Sequence, residues 1–269
     1  MLVHFIAKMD TMGLLIDNKL NYLLSSWQEN AVITTRWLSQ QGYSNQLIKK
    51  YCDHGWISKV GQGAYTKFHH KANWVGAVYA LIHDLKLPVH LGGPTALELQ
   101  GMGHNVTFDF AQGSFYLFNS SRSKRNLPKW FRENFQNHIY AQHHLFKSDP
   151  DLETKSIENF KILVSSPEQA ALELLALTPH DFDYEHAAHL IENLHFLRPE
   201  LLQKLLQECT SIKVKRLFLY LAEKYQLPCF THLKINRIDL GKGKRMIGIG
   251  GEYISTYQIS VPKLSDESR

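Results

Sequence analysis

Cysteine is scarce in this 269-residue chain, and Cys52, Cys209 and Cys229 are odd in number and far apart. That spacing excludes a disulfide framework and the paired cysteines of a zinc or redox site, and it reads as three reduced thiols of a cytoplasmic protein. Long apolar runs are missing too. The opening stretch MLVHFIAKMD is broken by Lys8 and Asp10, which leaves it too short for a membrane span and without a signal-peptide layout. Acidic residues are absent from SRSKRNLPKWFR, which ends at Arg132 and mixes five basic side chains with Trp130 and Phe131. That segment reads either as a basic loop beside nucleic acid or as an exposed crossover.

Signatures of catalysis and cofactor binding are equally thin. Gly92-Gly93 precedes a helix, but no Gly-Lys-Ser or Gly-Lys-Thr follows and Pro94 removes an amide donor, so a tight strand-to-helix turn is expected rather than a phosphate cradle. Gly241-Lys242-Gly243 joins two expected strands and opens no helix, which makes it a cationic turn. The neighbours His69-His70 and His143-His144 would point to opposite faces of a strand, so neither pair converges on a metal. Asp151, Glu153 and Lys155 stand too close together to hold a metal between separated strands as nucleases do. No catalytic residue, metal ligand or cofactor is therefore assigned.

What is present is an ordinary globular composition, 44% hydrophobic and 20% charged, with charge distributed unevenly. Residues 156–210 carry nine acidic and three basic side chains, whereas residues 211–269 carry eleven basic and five acidic ones. Near the amino terminus Leu20, Leu23, Leu24 and Trp27 fall on one helical stripe. Ala31-Val32-Ile33 is β-prone, and Thr34 or Thr35 can cap a second helix, Arg36 to Gln41. Ser44 caps a third, NQLIKKYCDH, which ends at Gly55. WISKV, GQG and AYTKF then form a hairpin. Helix, strand, helix, turn, helix and hairpin in this order make a winged helix-turn-helix.

In the third helix Leu47, Ile48 and Tyr51 would face inward, leaving Asn45, Gln46, Lys49 and Lys50 on an outer face suited to a major groove. Thr35, Arg36 and Ser44 at the helix starts, and Lys59, Gln62 and Lys67 in the wing, are placed to touch phosphates. Glycines at the wing turn would leave the backbone open to such an approach. The alternative is a winged helix that docks protein.

The remainder reads as a larger mixed α/β domain. A helix is expected from Trp74 to Leu85, a short helix in LGGPTALELQGMG, and strands at Thr107 to Ala111, Ser114 to Phe118 and His138 to Ala141. From Phe160 a strand runs into a helix that Ser166 caps and Pro167 opens. Three more helices form a helical subdomain: the Ala187 to Leu197 stripe, Pro199 to Cys209, and Val214 to Tyr225. Strands are expected at Arg237 to Leu240, Met246 to Ile249 and Tyr253 to Val261. The basic set Lys213, Lys215, Arg216, Lys242, Lys244 and Arg245 either meets an anionic partner or forms salt bridges with the acidic segment. The whole is α+β: a flexible extension over 1–17, a DNA-binding domain over 18–70 and a carboxy-terminal domain over 71–269, with a sub-boundary near 155–160.

VITTRWLSQQGYSNQLIKKYCDHGWISKVGQGAY, HLGGPTALELQG, KILVSSPEQAALELL, SIKVKRLFLYLAE, RIDLGKGKR and YQISVP, in this order, resemble the AbiEi antitoxins of bacterial abortive-infection loci. The resemblance implies a non-enzymatic antitoxin encoded beside an AbiEii-type nucleotidyltransferase toxin. Its winged helix would bind inverted repeats in double-stranded DNA of the shared promoter, and its larger part would oppose the toxin, with or without a stable complex. Other readings are a nuclease guided by a winged helix and a ligand-sensing repressor.

Overall fold

The computed structural model describes residues 18–102, 114–122, 125–142, 144–248 and 251–264. The expected extension over 1–17, the expected strand Thr107 to Ala111 and His143 of the second histidine pair lie outside them. The chain forms two compact units. The first runs to Lys86 and takes in Pro128–Asn134 and Ser156–Phe160; the second comprises Leu87–Leu127, Phe135–Lys155 and the chain from Lys161 onward.

In the first unit, helix α1 spans residues 18–26 and buries Leu20, Leu23 and then Trp27, with Leu24 at the edge of the stripe. Strand β1 is Ile33–Thr34, helix α2 Thr35–Gln40 and helix α3 Asn45–Asp53. Strands β2, Ile57–Gly61, and β3, Ala64–Lys67, follow. The three strands form an antiparallel sheet in the order β1-β3-β2. Helix α4, Trp74–Tyr79, widens into a π-helical turn over Ala80–Asp84, where one uniform α-helix was expected. Asn73 caps α4 through Gly76 N, and its amide meets both carboxylate oxygens of Glu158 at 2.8 Å. Phe160 lies against Tyr79.

The second unit is built on a mixed five-stranded sheet, order β6-β5-β4-β8-β7. The strands are β4 Val89–Leu91, β5 Phe115–Asn119, β6 His138–Ala141, β7 Leu152–Ile157 and β8 Phe160–Ser165. Helix α5, Gly93–Leu99, packs on helix α7, Pro167–Leu177, which is buried along almost its whole length. Ser166 occupies the expected cap position of α7, but its hydroxyl makes no capping bond and is buried without a partner among the described residues. Helices α8, Tyr184–Glu192, α9, Pro199–Glu208, and α10, Ile212–Lys224, pack around α7. The acidic α7 residue Glu168, 1% exposed, accepts three bonds from Arg198 at 2.6 to 3.0 Å. Burial pushes its carboxyl up, yet those bonds override burial and hold it below the ordinary range.

Two expectations at the carboxy end are corrected. Arg237 to Leu240 is no strand: a 3₁₀ turn covers Ile235–Arg237, and the carbonyls of Asp239 and Leu240 accept from Lys215 and Arg216 instead of from a neighbouring strand. Tyr253 to Val261 is two strands, β10 Glu252–Ile254 and β11 Ile259–Val261, which pair antiparallel, with β9, Arg245–Met246, parallel to β11. Among the described residues no helix is long and apolar enough to cross a membrane.

Candidate nucleic-acid interface

Helix α3 exists because its ends and one face are satisfied locally. Ser44 Oγ accepts from Leu47 N at 3.2 Å, and the helix closes on His54, whose Nδ1 lies 2.8 Å from Lys50 O. Ile48 and Tyr51 are buried, Leu47 is half-buried, and Tyr51 meets Trp56 edge-on. Asn45, Gln46, Lys49 and Lys50 are all exposed, so the structure brings these four together on one face.

Helix α2 is anchored less locally. Thr34 caps it by accepting from Trp37 N at 3.2 Å, and Thr34 itself donates through N and Oγ1 to Asp84 at 3.1 and 3.2 Å. Burial raises the Asp84 carboxyl pKa against the pull of these bonds. No signal in the sequence pointed to this carboxylate, fifty residues away. Thr35 N donates to Gly63 O at 2.9 Å, which ties α2 to the hairpin turn. Arg36 is exposed but one of its guanidinium N–H groups donates to Leu85 O at 3.1 Å.

In the hairpin, Lys59 pairs with Tyr65 and Lys67 with Ile57, which puts both lysines on one face as diagonal neighbours. Lys67 sits at the base of the hairpin rather than beside its turn, where Gln62 is exposed. The expectation that the wing glycines simply clear the way for phosphate is corrected at Gly61. A Cβ there would stand 2.7 Å from Trp130 Cβ, so the glycine admits helix α6, Lys129–Asn134. Hence the aromatic part of the basic segment is neither loop nor exposed crossover: Trp130 and Phe131 are buried, while Lys129 and Arg132 face solvent on the same short helix. Those two cations stand on a helix packed against β2 of the hairpin, and the segment's composition carried the signal for them.

The second basic set is dispersed by the fold. Lys215 and Arg216 are 3% and 2% exposed. Lys215 donates to Asp239 O, and Arg216 donates to Leu240 O, Gly241 O, Gly243 O and Gln258 O at 2.6 to 3.1 Å. Lys213 donates to Ala176 O and Thr178 O. These partners are backbone carbonyls, so buried Lys215 and Arg216 neither meet an outside anion nor form salt bridges with the acidic segment, while half-buried Lys213 keeps one N–H uncommitted. Lys242 and Lys244 remain exposed and Arg245 is half-buried, with Lys244 over the Tyr253 ring at 4.9 Å.

One constellation has the composition of a hydrolytic relay. His90 lies 2.7 Å from Ser120 Oγ and 2.9 Å from Glu173 Oε1. Glu173 is also bonded by Gln169, Ser165 and Gly93 N, so the amide that would face a phosphate serves a carboxylate instead. The gap beside Ser120 and His90 measures about 10 Å³, room for at most one water. Gly92 belongs to the same packing, since a Cβ there would stand 2.2 Å from Glu173 Oε2. On β7, Glu153 pairs with Lys155 at 3.4 Å, and just before the strand Asp151 pairs with Arg198 at 3.8 Å. Among the described residues no group of histidines, cysteines and carboxylates could hold a metal.

A family model described as a transcriptional regulator, the AbiEi antitoxin of type IV toxin–antitoxin systems, matches residues 114–262. The model of the AbiEi antitoxin N-terminal domain, likewise described as a transcriptional regulator, matches residues 16–108. No curated protein matches. Among solved structures, the RV2827C protein of Mycobacterium tuberculosis shares the fold with a TM-score of 0.59 at 13% identity, over 90% of this chain and 89% of that one. With a small amino-terminal part of helices and antiparallel strands, a larger mixed-sheet part, and two family models that together match residues 16–108 and 114–262, this chain belongs to the AbiEi antitoxins, which are transcriptional regulators of type IV toxin–antitoxin systems and not enzymes.

Proposed function

We propose that the chain represses its own promoter and counteracts a nucleotidyltransferase toxin. Residues 18–70 act as a winged helix-turn-helix on inverted repeats in double-stranded DNA, and residues 71–269 carry the antitoxin activity in the cytoplasm. The observation that carries the DNA reading is the exposure of Asn45, Gln46, Lys49 and Lys50 on one face of α3 while Ile48 and Tyr51 are buried on the other. Asn and Gln offer bidentate pairs to adenine in a major groove, and the lysines reach phosphate or guanine. Thr35, Arg36, Ser44, Lys59, Gln62 and Lys67 position the duplex through its backbone, which carries no sequence information.

Mobility shifts at several salt concentrations test this. Asn45→Ala should cost about 1–3 kcal/mol of discrimination between operator and other DNA. Lys49→Ala should weaken both and reduce the salt slope by about 1. If neither variant moves affinity or slope, α3 is not the reading helix. The same full-length variants should still rescue cells from the toxin, because antitoxicity is assigned to the other part; loss of rescue at matched expression argues against that division.

A further inference from the structure

The second unit holds a cavity of about 540 Å³, a size that accommodates small organic ligands. Its apolar wall is Phe118 from β5, Leu177 from the end of α7, and Leu145. Phe118 and Leu177 belong to a buried cluster with Tyr116, on which Ile139, Ala141 and Phe182 pack, so these two side chains are held by the core, and Leu145 adds to them from the segment after β6. The polar lining includes three donors, from Tyr140, Ser211 and Lys213, beside Gln142, His144, Asp181 and Thr210. Tyr140 Oη is buried and has no hydrogen-bond partner among the described residues, an arrangement that costs stability until an acceptor meets it. Ser211 Oγ accepts from Val214 N, which leaves its own O–H to donate. Lys213 commits two of its three N–H groups to Ala176 O and Thr178 O and keeps one. Burial lowers the Lys213 pKa, opposed by Asp181, an exposed carboxylate on the cavity lining.

We infer that this cavity is a binding site for a small organic anion with an apolar ring, its acceptor oxygens met by Tyr140, Ser211 and Lys213 and its ring laid against Phe118, Leu145 and Leu177. The ligand's carboxylate or phosphate would supply what Tyr140 lacks, and a ring suits a wall of one aromatic and two leucine side chains. None of these residues belongs to the α3 face, so the inference stands apart from the reading of DNA.

The test is titration of the full-length, methyl-labelled protein with benzoate, phenyl phosphate and benzylamine, followed by NMR, with melting curves in parallel. Benzoate or phenyl phosphate should shift the methyls of Leu145 and Leu177 saturably, and the preferred one of the two tells carboxylate from phosphate. Tyr140→Phe should weaken that binding about fivefold, the value of one hydrogen bond, without lowering the melting temperature, since the lost hydroxyl has no partner in the free protein. No saturable shift by either anion up to about 10 mM overturns the site. Equal binding of benzylamine overturns the anion class, and unchanged affinity in Tyr140→Phe overturns the role of the unpartnered hydroxyl.

Discussion

Arg216→Met separates a structural anchor from a surface cation. The wild-type guanidinium is 2% exposed and donates to four carbonyls, those of Leu240, Gly241, Gly243 and Gln258. Charge-assisted bonds are worth about 1.5–3 kcal/mol apiece, which sets an upper bound when four are lost together. Removing the cation also removes its desolvation cost, several kcal/mol, and truncating one side of a buried charged contact nets about 3–5 kcal/mol. At roughly 2–4 °C per kcal/mol for a chain of this size class, the melting temperature should fall by about 6–20 °C. Arg216→Lys keeps the charge but not the planar fork that spans several acceptors, so it should recover less than half of the loss. Differential scanning calorimetry of the three proteins, with circular dichroism to confirm folding, gives the comparison. An unchanged melting temperature in Arg216→Met, together with loss of binding to an anionic partner, would falsify the anchor and restore the surface patch.

Glu98 is held at a pKa of about 7 by burial, and its Oε2 has no partner among the described residues. Because the folded state keeps this proton after the unfolded chain has lost it near 4.5, stability should fall as pH rises from 4.5 through about 7. Discounted for its partial exposure, the effect is about 1–2 kcal/mol, and Glu98→Gln should abolish that slope in urea melts across the range. Gly61→Ala should cost about 1–3 kcal/mol by forcing Trp130 aside. It should also weaken operator binding through the displaced hairpin; an unaltered melt would mean that α6 yields without strain.

Legibility followed the distance over which each feature is determined. The α3 face was readable because Ser44, Ile48 and Tyr51 act within one helix, where period and capping chemistry decide. For Lys215 and Arg216 the sequence offers an anionic partner or salt bridges but not carbonyl capture, because such residues are rarely buried and their carbonyl partners lie more than twenty residues downstream. The same capture turned the alternating Arg237 to Leu240 stretch away from a strand. The Thr34–Asp84 anchor and the fit of Trp130 on Gly61 span fifty residues or more and leave no periodic trace. Nor does periodicity reveal a cavity, because Tyr140, Leu177 and Lys213 come from different elements.

The composition of the first compact unit bears on how the gene can be dissected. Besides the chain up to Lys86, that unit takes Pro128–Asn134, which carries the Trp130 that seats on Gly61, and Ser156–Phe160, whose Glu158 receives Asn73. A fragment that starts at residue 71 lacks α1 to β3 and leaves α4 and α6 with apolar residues that had been covered by the missing part. A fragment made that way would fail through aggregation as readily as through loss of activity, and its silence would carry no information about antitoxicity. Substitutions at exposed positions of α3 leave every stretch of the unit in place, so they are the form in which regulation and neutralisation can be taken apart.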